Sequence, residues 1–321
     1  MEIISNPTQD EIKKAAKALK DGYLVAFPTE TVYGLGADAT NEKAVSRIYS
    51  VKGRPTDHPL IVHISSINQL DKWARNIPDY AIKLANEFWP GPMTLILKRN
   101  NLAKNFITGG QNSVGLRVPD QSVALALLSE FEILGGFGIA APSANRFGAV
   151  SPTTADDVED ELDKFLVGKD LILDDGPSFV GVESTIIEST KDYPVVLRPG
   201  AVTYEMIERT VGFEIPVNLE KSETRVSGLL EFHYSPKARI ILNLFPNSGD
   251  GFIAMANFST PPGAIRLAAP KTIEEFAKDL YLALRNGDKK GLKFIYVLLP
   301  SGGGLAIAIR DRLEKAAKKF K

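Results

Sequence analysis

Residues 52–55 read KGRP, so Lys52 and Arg54 flank a glycine with a rigid proline behind them. Cations fixed in this way suit a phosphate, the arginine through its two-pronged fork and the lysine as a point charge. A solvated surface loop is the plainer alternative. Arg117 in GLRVP (115–119) and Arg198 in VLRPG (196–200) each stand among apolar strand residues. A charge there is costly unless it meets an anion. Arg117 is therefore a candidate for a carboxylate and Arg198 for a phosphate, with a structural salt bridge competing in both cases.

Two segments put hydroxyls and amides where apolar strands end. FPTETVYGLG (27–36) fits neither common glycine-rich phosphate loop. Thr29 and Thr31 offer hydroxyls, and Gly34 and Gly36 allow close backbone approach, which suits an amino-acid ligand or an ordinary strand–turn–helix junction. IAAPSAN (139–145) ends with Ser143 and Asn145 at the carboxyl edge of a strand, where ligands of open α/β sheets usually sit. The following SPTTADDV reads mostly as a helix start, with Ser151 or Thr153 as cap, Pro152 in the first turn and Asp156 as the capping acid. VESTI (182–186) places Glu183, Ser184 and Thr185 in an apolar strand. A serine nucleophile needs a base, the chain has only His58, His63 and His233, and no G-x-S-x-G elbow surrounds Ser184. Ser184 thus reads as a substrate-binding hydroxyl, and His63, ending LIVHI, as a core histidine or a ligand contact.

The wider composition narrows the chemistry. Zero cysteines exclude disulfides, thiolate nucleophiles and the usual zinc knuckles. Three scattered histidines make a protein-built transition-metal site improbable, whereas Mg2+ carried by a nucleotide needs few protein ligands. A net charge of -1 gives no global basic field for nucleic acid. The N-terminus lacks the basic start and apolar core of a signal peptide, and no apolar run nears the roughly 20 residues of a membrane span. The expectation is a cytoplasmic protein without membrane contact.

Strands and helices alternate along 321 residues, too long for one ordinary core. A helix runs from the Thr8/Glu11 capping box to Gly22, and further helices are expected near 42–51, 78–88, 122–131, 153–163 and 203–211. Strands are expected at 23–27, 60–64, after WPGP, and at 113–118, 137–141, 170–173, 182–187 and 194–197. Their irregular order argues for a mixed sheet. The pattern gives an α/β domain over 1–212, a linker over 213–237 without periodicity, and a small α/β domain over 238–321 with a helix near 272–286. The basic C-terminal stretch RDRLEKAAKKFK reads as a solvated helix face.

The ordered segments FPTETVYGLGADA, KGRPTDHPLIVHI, WPGPMTLIL, SVGLRVP, IAAPSANRFGAVSPTTADDV, GVESTI, VLRPG and HYSP cover about residues 20–236. Together they resemble the YrdC/TsaC family in its longer form, the L-threonylcarbamoyladenylate synthases. The resemblance implies a large domain with a twisted mixed sheet and central cleft, plus a small Rossmann-like domain. It implies that L-threonine, bicarbonate (or CO2) and ATP, with Mg2+, become threonylcarbamoyl-AMP and diphosphate. The product would pass to a separate transferase complex that modifies tRNA next to the anticodon, with weak tRNA contact by this chain. By position, Thr31, His63, Arg117, Ala141 and Ser184 would bind threonine. Lys52 and Arg54 would be catalytic and would bind ATP with His58, Ser113, Ser143, Ser151, Arg198 and Tyr234, the last folding over the nucleotide from the linker; Asn145 is added to the ATP set because it lies inside a matched segment. The family usually carries Pro-Gly-Met and basic residues before HYSP; here the stretch is SGLLEF, with Glu231 in place of a positive charge. Two rivals are a carbamoyl transferase, whose relatives have cysteines and further domains that this chain lacks, and an RNA-binding module without turnover.

Overall fold

The structure, a computed structural model, describes residues 1–215, 224–228 and 234–318. A strand, β1 (Glu2–Ser5), precedes the first helix and was not expected from sequence, because four residues are too few for alternation to register. It is held by parallel pairing with residues 171–174. Helix α1 (Gln9–Lys20) has the foreseen capping box, with Thr8 and Glu11 exchanging backbone-to-side-chain bonds, and it buries Ile12, Ala15, Ala16 and Leu19. β2 (Val25–Phe27) is followed by β3 (Gly34–Asp38), which pairs antiparallel with it. FPTETVYGLG is therefore a strand–loop–strand rather than a strand–turn–helix. A Cβ on Gly36 would lie 2.8 Å from both the Phe27 ring and Ile139, so only glycine lets these strands pack.

Helix α2 (Glu42–Lys52), capped by Asn41, leads to β4 (Ile61–His63), the single-turn α3 (Leu70–Trp73) and α4 (Asp79–Phe88). Next come β5 (Met93–Lys98), the single-turn α5 (Asn105–Thr108), β6 (Ser113–Arg117), α6 (Ser122–Ile133) and β7 (Ile139–Ala140). Helix α7 (Ala155–Leu162) is capped by Thr154, not by Ser151 or Thr153; its hydroxyl accepts from the Asp157 amide, and Asp157 rather than Asp156 reaches back to the amide of Thr153. β8 (Leu171–Asp174), β9 (Thr185–Glu188), β10 (Val195–Arg198) and α8 (Tyr204–Val211) complete the large unit. Its ten strands lie in the order β1-β8-β2-β3-β7-β4-β6-β5-β9-β10, with parallel and antiparallel neighbours, the expected mixed sheet.

The C-terminal unit comprises β11 (Arg239–Leu242), β12 (Gly251–Ile253), β13 (Ile265–Ala268), α9 (Ile273–Lys289), β14 (Phe294–Val297) and α10 (Leu305–Ala317). Its sheet, β11-β14-β12-β13, is wholly parallel, as a Rossmann-like unit requires. β12 and β13 were not expected, since the glycines and prolines around them mask two short strands. Among the described residues no helix is long and apolar enough to cross a membrane.

The two units share an apolar cluster in which Val32, Val150 and Val182 pack with Phe276, Ala277, Leu280 and Tyr281 of α9. The backbones approach tightly at Gly181, whose φ is +78° and whose hypothetical Cβ would lie 2.4 Å from backbone atoms of Ala277 and Lys278. Gly181→Ala is accordingly expected to destabilise the protein by about 2 kcal/mol or more, through both left-handed strain and collision with a helix backbone. Urea denaturation checks this; a loss below about 0.5 kcal/mol would show that α9 has room to retreat.

Candidate active site

A cavity of about 50 Å³ opens between the ends of the central strands, the 182–184 segment and the linker. One wall is built on Arg117, which ends β6 opposite His63 at the end of β4. Arg117 is buried; its Nη2 lies 2.6 Å from the Glu30 carboxylate and donates to the Thr31 hydroxyl at 2.9 Å. Thr29 donates its proton to the Val32 carbonyl at 2.6 Å, so in the 2.9 Å pair with Thr31 the proton must come from Thr31. The lone pairs of Thr31 are left to accept from Arg117. The competing salt bridge weighed for Arg117 is thus present, with Glu30, yet Arg117 still lines the cavity and its Nε has no partner. His63 is both a buried and a cavity-lining histidine, with its Nδ1 unpartnered. Burial first, and the neighbouring Arg117 second, push its pKa down to about 3, so it presents a neutral imidazole.

The opposite wall carries Arg54 and Arg198. Gly53 ends α2 in the left-handed region at φ +63°, which turns the chain so that Arg54 faces inward. Arg54 donates to the Pro59 carbonyl and the Ser227 hydroxyl, both at 2.9 Å. Burial lowers its pKa to about 10, leaving it charged at neutral pH. Arg198 lies at a bulge where the β9–β10 register shifts, a device that re-aims a side chain. It donates to the Ser184 carbonyl at 2.9 and 3.1 Å, to the Ser184 hydroxyl at 3.2 Å and to the Ser227 carbonyl at 3.1 Å. Ser184 also pairs with Thr94 at 2.8 Å. Ser227, which sequence reasoning missed, therefore touches both arginines from the linker.

Glu183 lines the same cavity and accepts from Ser151 at 2.6 Å, from Tyr281 of α9 at 2.8 Å and from Arg312 of α10 at 2.8 Å. Burial alone would raise its pKa, but Arg312, then Arg198 and the hydrogen bonds outweigh burial and take it down to about 2. Arg312 and Lys315, expected on a solvated face, point inward instead; Arg312 is 1% exposed, and Lys315 pairs with Asp311 at 2.7 Å. Tyr234 is buried in the cavity wall, stacked on Tyr281 at 5.9 Å.

Of the residues singled out from sequence, Thr31, Arg54, His63, Arg117, Ala141, Ser143, Ser184, Arg198 and Tyr234 line this cavity. Lys52, His58, Ser113, Asn145 and Ser151 do not. Lys52 is the last residue of α2, not a loop cation, and its buried ammonium donates to the carbonyls of Ser143 and Asn145, so it fixes the turn rather than presenting a charge. Asn145 likewise donates to the carbonyls of Arg146 and Ala149. His58 packs edge-on against Phe147. Ser113 starts β6, at the end away from Arg117, paired with Lys98. Ser151 holds Glu183. Glu231 and His233 lie outside the described residues.

A mixed sheet with an arginine-ringed cavity, braced by a small parallel domain, defines a two-domain α/β protein. Residues 17–200 match the Sua5–YciO–YrdC family model, described as "Telomere recombination", and residues 202–318 match that described as "Threonylcarbamoyl-AMP synthase, C-terminal domain". The threonylcarbamoyl-AMP synthase of Pyrococcus abyssi is 39% identical over 329 residues, covering 96% of this chain and 94% of the relative. That of Bacillus subtilis is 40% identical over 332 residues, covering 96% and 93%. The crystal structure of P. abyssi Sua5 complexed with L-threonine superposes with a TM-score of 0.85 at 36% identity, over 98% of this chain and 97% of that one. The chain belongs to the Sua5–YciO–YrdC family, in its two-domain form.

The buried, neutral His63 has a stability signature. Its folded pKa of about 3 lies below the ordinary 6.5, so its contribution is complete above pH 6.5 and is lost as pH falls towards 3. The stability difference between the native protein and His63→Gln should therefore shrink on going from pH 7 to pH 4, by on the order of 3 kcal/mol. Urea unfolding at the two pH values measures it; a pH-independent difference would mean that the imidazole titrates normally.

Proposed function

We infer that this protein joins L-threonine, bicarbonate (or CO2) and ATP into threonylcarbamoyl-AMP, releasing diphosphate. The observation that carries the reading is the charge balance around the cavity. Among the described residues the four guanidiniums of Arg54, Arg117, Arg198 and Arg312 meet the carboxylates of Glu30 and Glu183 and, on Arg312, that of Asp311, whose charge Lys315 offsets. Two positive charges are left for a ligand, which matches a nucleotide phosphate better than any neutral substrate.

In this reading Arg54 and Arg198 take the phosphates and exchange Ser227 for phosphate oxygens. Arg117, tethered by Glu30, offers its remaining nitrogens to the threonine carboxylate, and Thr31, His63, the Ala141 backbone and Ser184 seat the rest of the amino acid. The amine first becomes a carbamate, and a carbamate oxygen then attacks the α-phosphorus in line as the bond to diphosphate breaks. Neither step needs a protein nucleophile, so catalysis rests on positioning and charge stabilisation. Lys52 acts through the turn it holds. Mg2+ would arrive on the ATP phosphates and shield their charge. Both carboxylates at the cavity are engaged by arginines, and among the described residues no three His, Cys, Asp or Glu side chains converge, so phosphate and water would supply most of its ligands. A cavity of about 50 Å³ has room for a few waters only. Substrate entry thus requires Ser227 and Tyr234 to withdraw and close again over a labile mixed anhydride. The product would go to a separate tRNA-modifying transferase in the cytoplasm.

Diphosphate release is expected to need threonine, bicarbonate and ATP together, with a chelator abolishing it and added Mg2+ restoring it; release without threonine would sink the reading. Arg54→Ala should lower kcat/KM for ATP at least tenfold, more than about 1.4 kcal/mol of transition-state binding, and unchanged kinetics would remove Arg54 from phosphate binding.

A further inference from the structure

The C-terminal domain sends two side chains, Arg312 and Tyr281, to Glu183 in the wall of the cavity. Arg312 lies on the inward face of α10 with Ala308, Ile309 and Ala316, all buried. Its Nε donates to the Glu183 carboxylate at 2.8 Å, and its Nη2 donates to the Pro199 carbonyl at 3.0 Å. Those two acceptors immediately adjoin Ser184 and Arg198, so one guanidinium ties together the segments that carry the serine and the phosphate arginine. Its plane also lies 5.2 Å from the Tyr234 ring, and Tyr234 stacks on Tyr281, the other C-terminal side chain bonded to Glu183.

We propose that Arg312 is a positioning residue of the synthase site: it neutralises Glu183, keeping Arg198 available to the ATP phosphate. The proposal rests on the reading given above. Glu183 is a buried carboxylate in a site that must receive a polyanion. Without Arg312 its charge falls on Arg198, the next cation along the wall. The two would then pair, and ATP would meet one arginine fewer and one exposed acid more. A purely structural arginine would make no such distinction, because its loss would loosen the domain contact whatever the charge of residue 183. The C-terminal domain is on this view part of the active site, acting through a charge it places there.

The test is a double-mutant cycle on the full chain with R312M, E183Q and R312M/E183Q, reading kcat and KM for ATP from diphosphate release and ATP affinity from calorimetry. R312M is expected to lose at least tenfold in kcat/KM for ATP and in ATP affinity. E183Q in the same chain should recover at least threefold of each, since the acid that captures Arg198 is gone. An R312M protein within twofold of the native one, or a double variant no better than R312M, would overturn the proposal. Should R312M not fold, Y281F carries the test, because it removes one hydrogen bond to Glu183 without stranding a charge. It should raise KM for ATP at least threefold and leave threonine affinity within twofold, and an unchanged KM would overturn the idea. Calorimetry separates the two layers of argument. Weakened ATP binding by R312M in a protein with no threonine-dependent turnover would sink the reaction and keep the clamp, whereas equal ATP affinity in an active enzyme would sink the clamp alone.

Discussion

Removing a guanidinium from water is tolerable only where another charge or a set of carbonyls replaces the lost hydration. Arg54, Arg117 and Arg198 are all buried around one small cavity, and each is held by different means: Arg54 by carbonyl and hydroxyl oxygens, Arg117 by Glu30, and Arg198 by the backbone of Ser184. None has an acid wholly to itself, apart from the Glu30 pair. The arrangement holds positive charge in a low-dielectric place without a full complement of counter-charge, and an arriving phosphate or carboxylate then gains more than it would at the surface. The rest of the molecule keeps these side chains from collapsing onto the nearest carboxylate.

Several features make sense in that light. The bulge in β10 aims Arg198, left-handed Gly53 turns Arg54 inward, and Lys52 stiffens the turn that brings Ser143 to the cavity. Glu183 is the acid best placed to spoil the balance, and it is occupied by Ser151, Tyr281 and Arg312. Two of those three come from the C-terminal domain. Truncating that domain is therefore an electrostatic change at the site as well as a loss of packing. The shared apolar cluster and the tight approach at Gly181 fix the geometry through which the charge acts.

The family match covers both domains, and it agrees with what the geometry supports. Among the described residues the cavity has no nucleophile paired with a base: His63 is neutral beside Arg117, and Ser184 is bonded to Thr94 and Arg198. That is unsuited to a hydrolytic triad and suited to a reaction in which substrates attack one another. A nucleic-acid reading loses ground because Arg312 and Lys315, the core of the basic C-terminal stretch, are engaged by internal acids.

Much of this was legible in the residues alone. The α/β alternation, the mixed sheet and the capping box of α1 followed from periodicity and turn chemistry, and Arg54, Arg117 and Arg198, singled out as cations in a stiff loop or among apolar residues, do line the cavity. What sequence leaves undecided is direction and partnership. Lys52 and Arg54 stand two apart and look equivalent in KGRP, yet the end of α2 falls between them, so one faces carbonyls and the other the cavity. β1, β12 and β13 exist because a partner strand lies beside them, which no local pattern records. Arg312 occupies an apolar helical face, a signal open to anyone counting by threes and fours. Its partner Glu183 lies 129 residues away, and only folding could bring that acid within 2.8 Å. Side-chain chemistry is written locally, but compensation of buried charge is a property of neighbours in space.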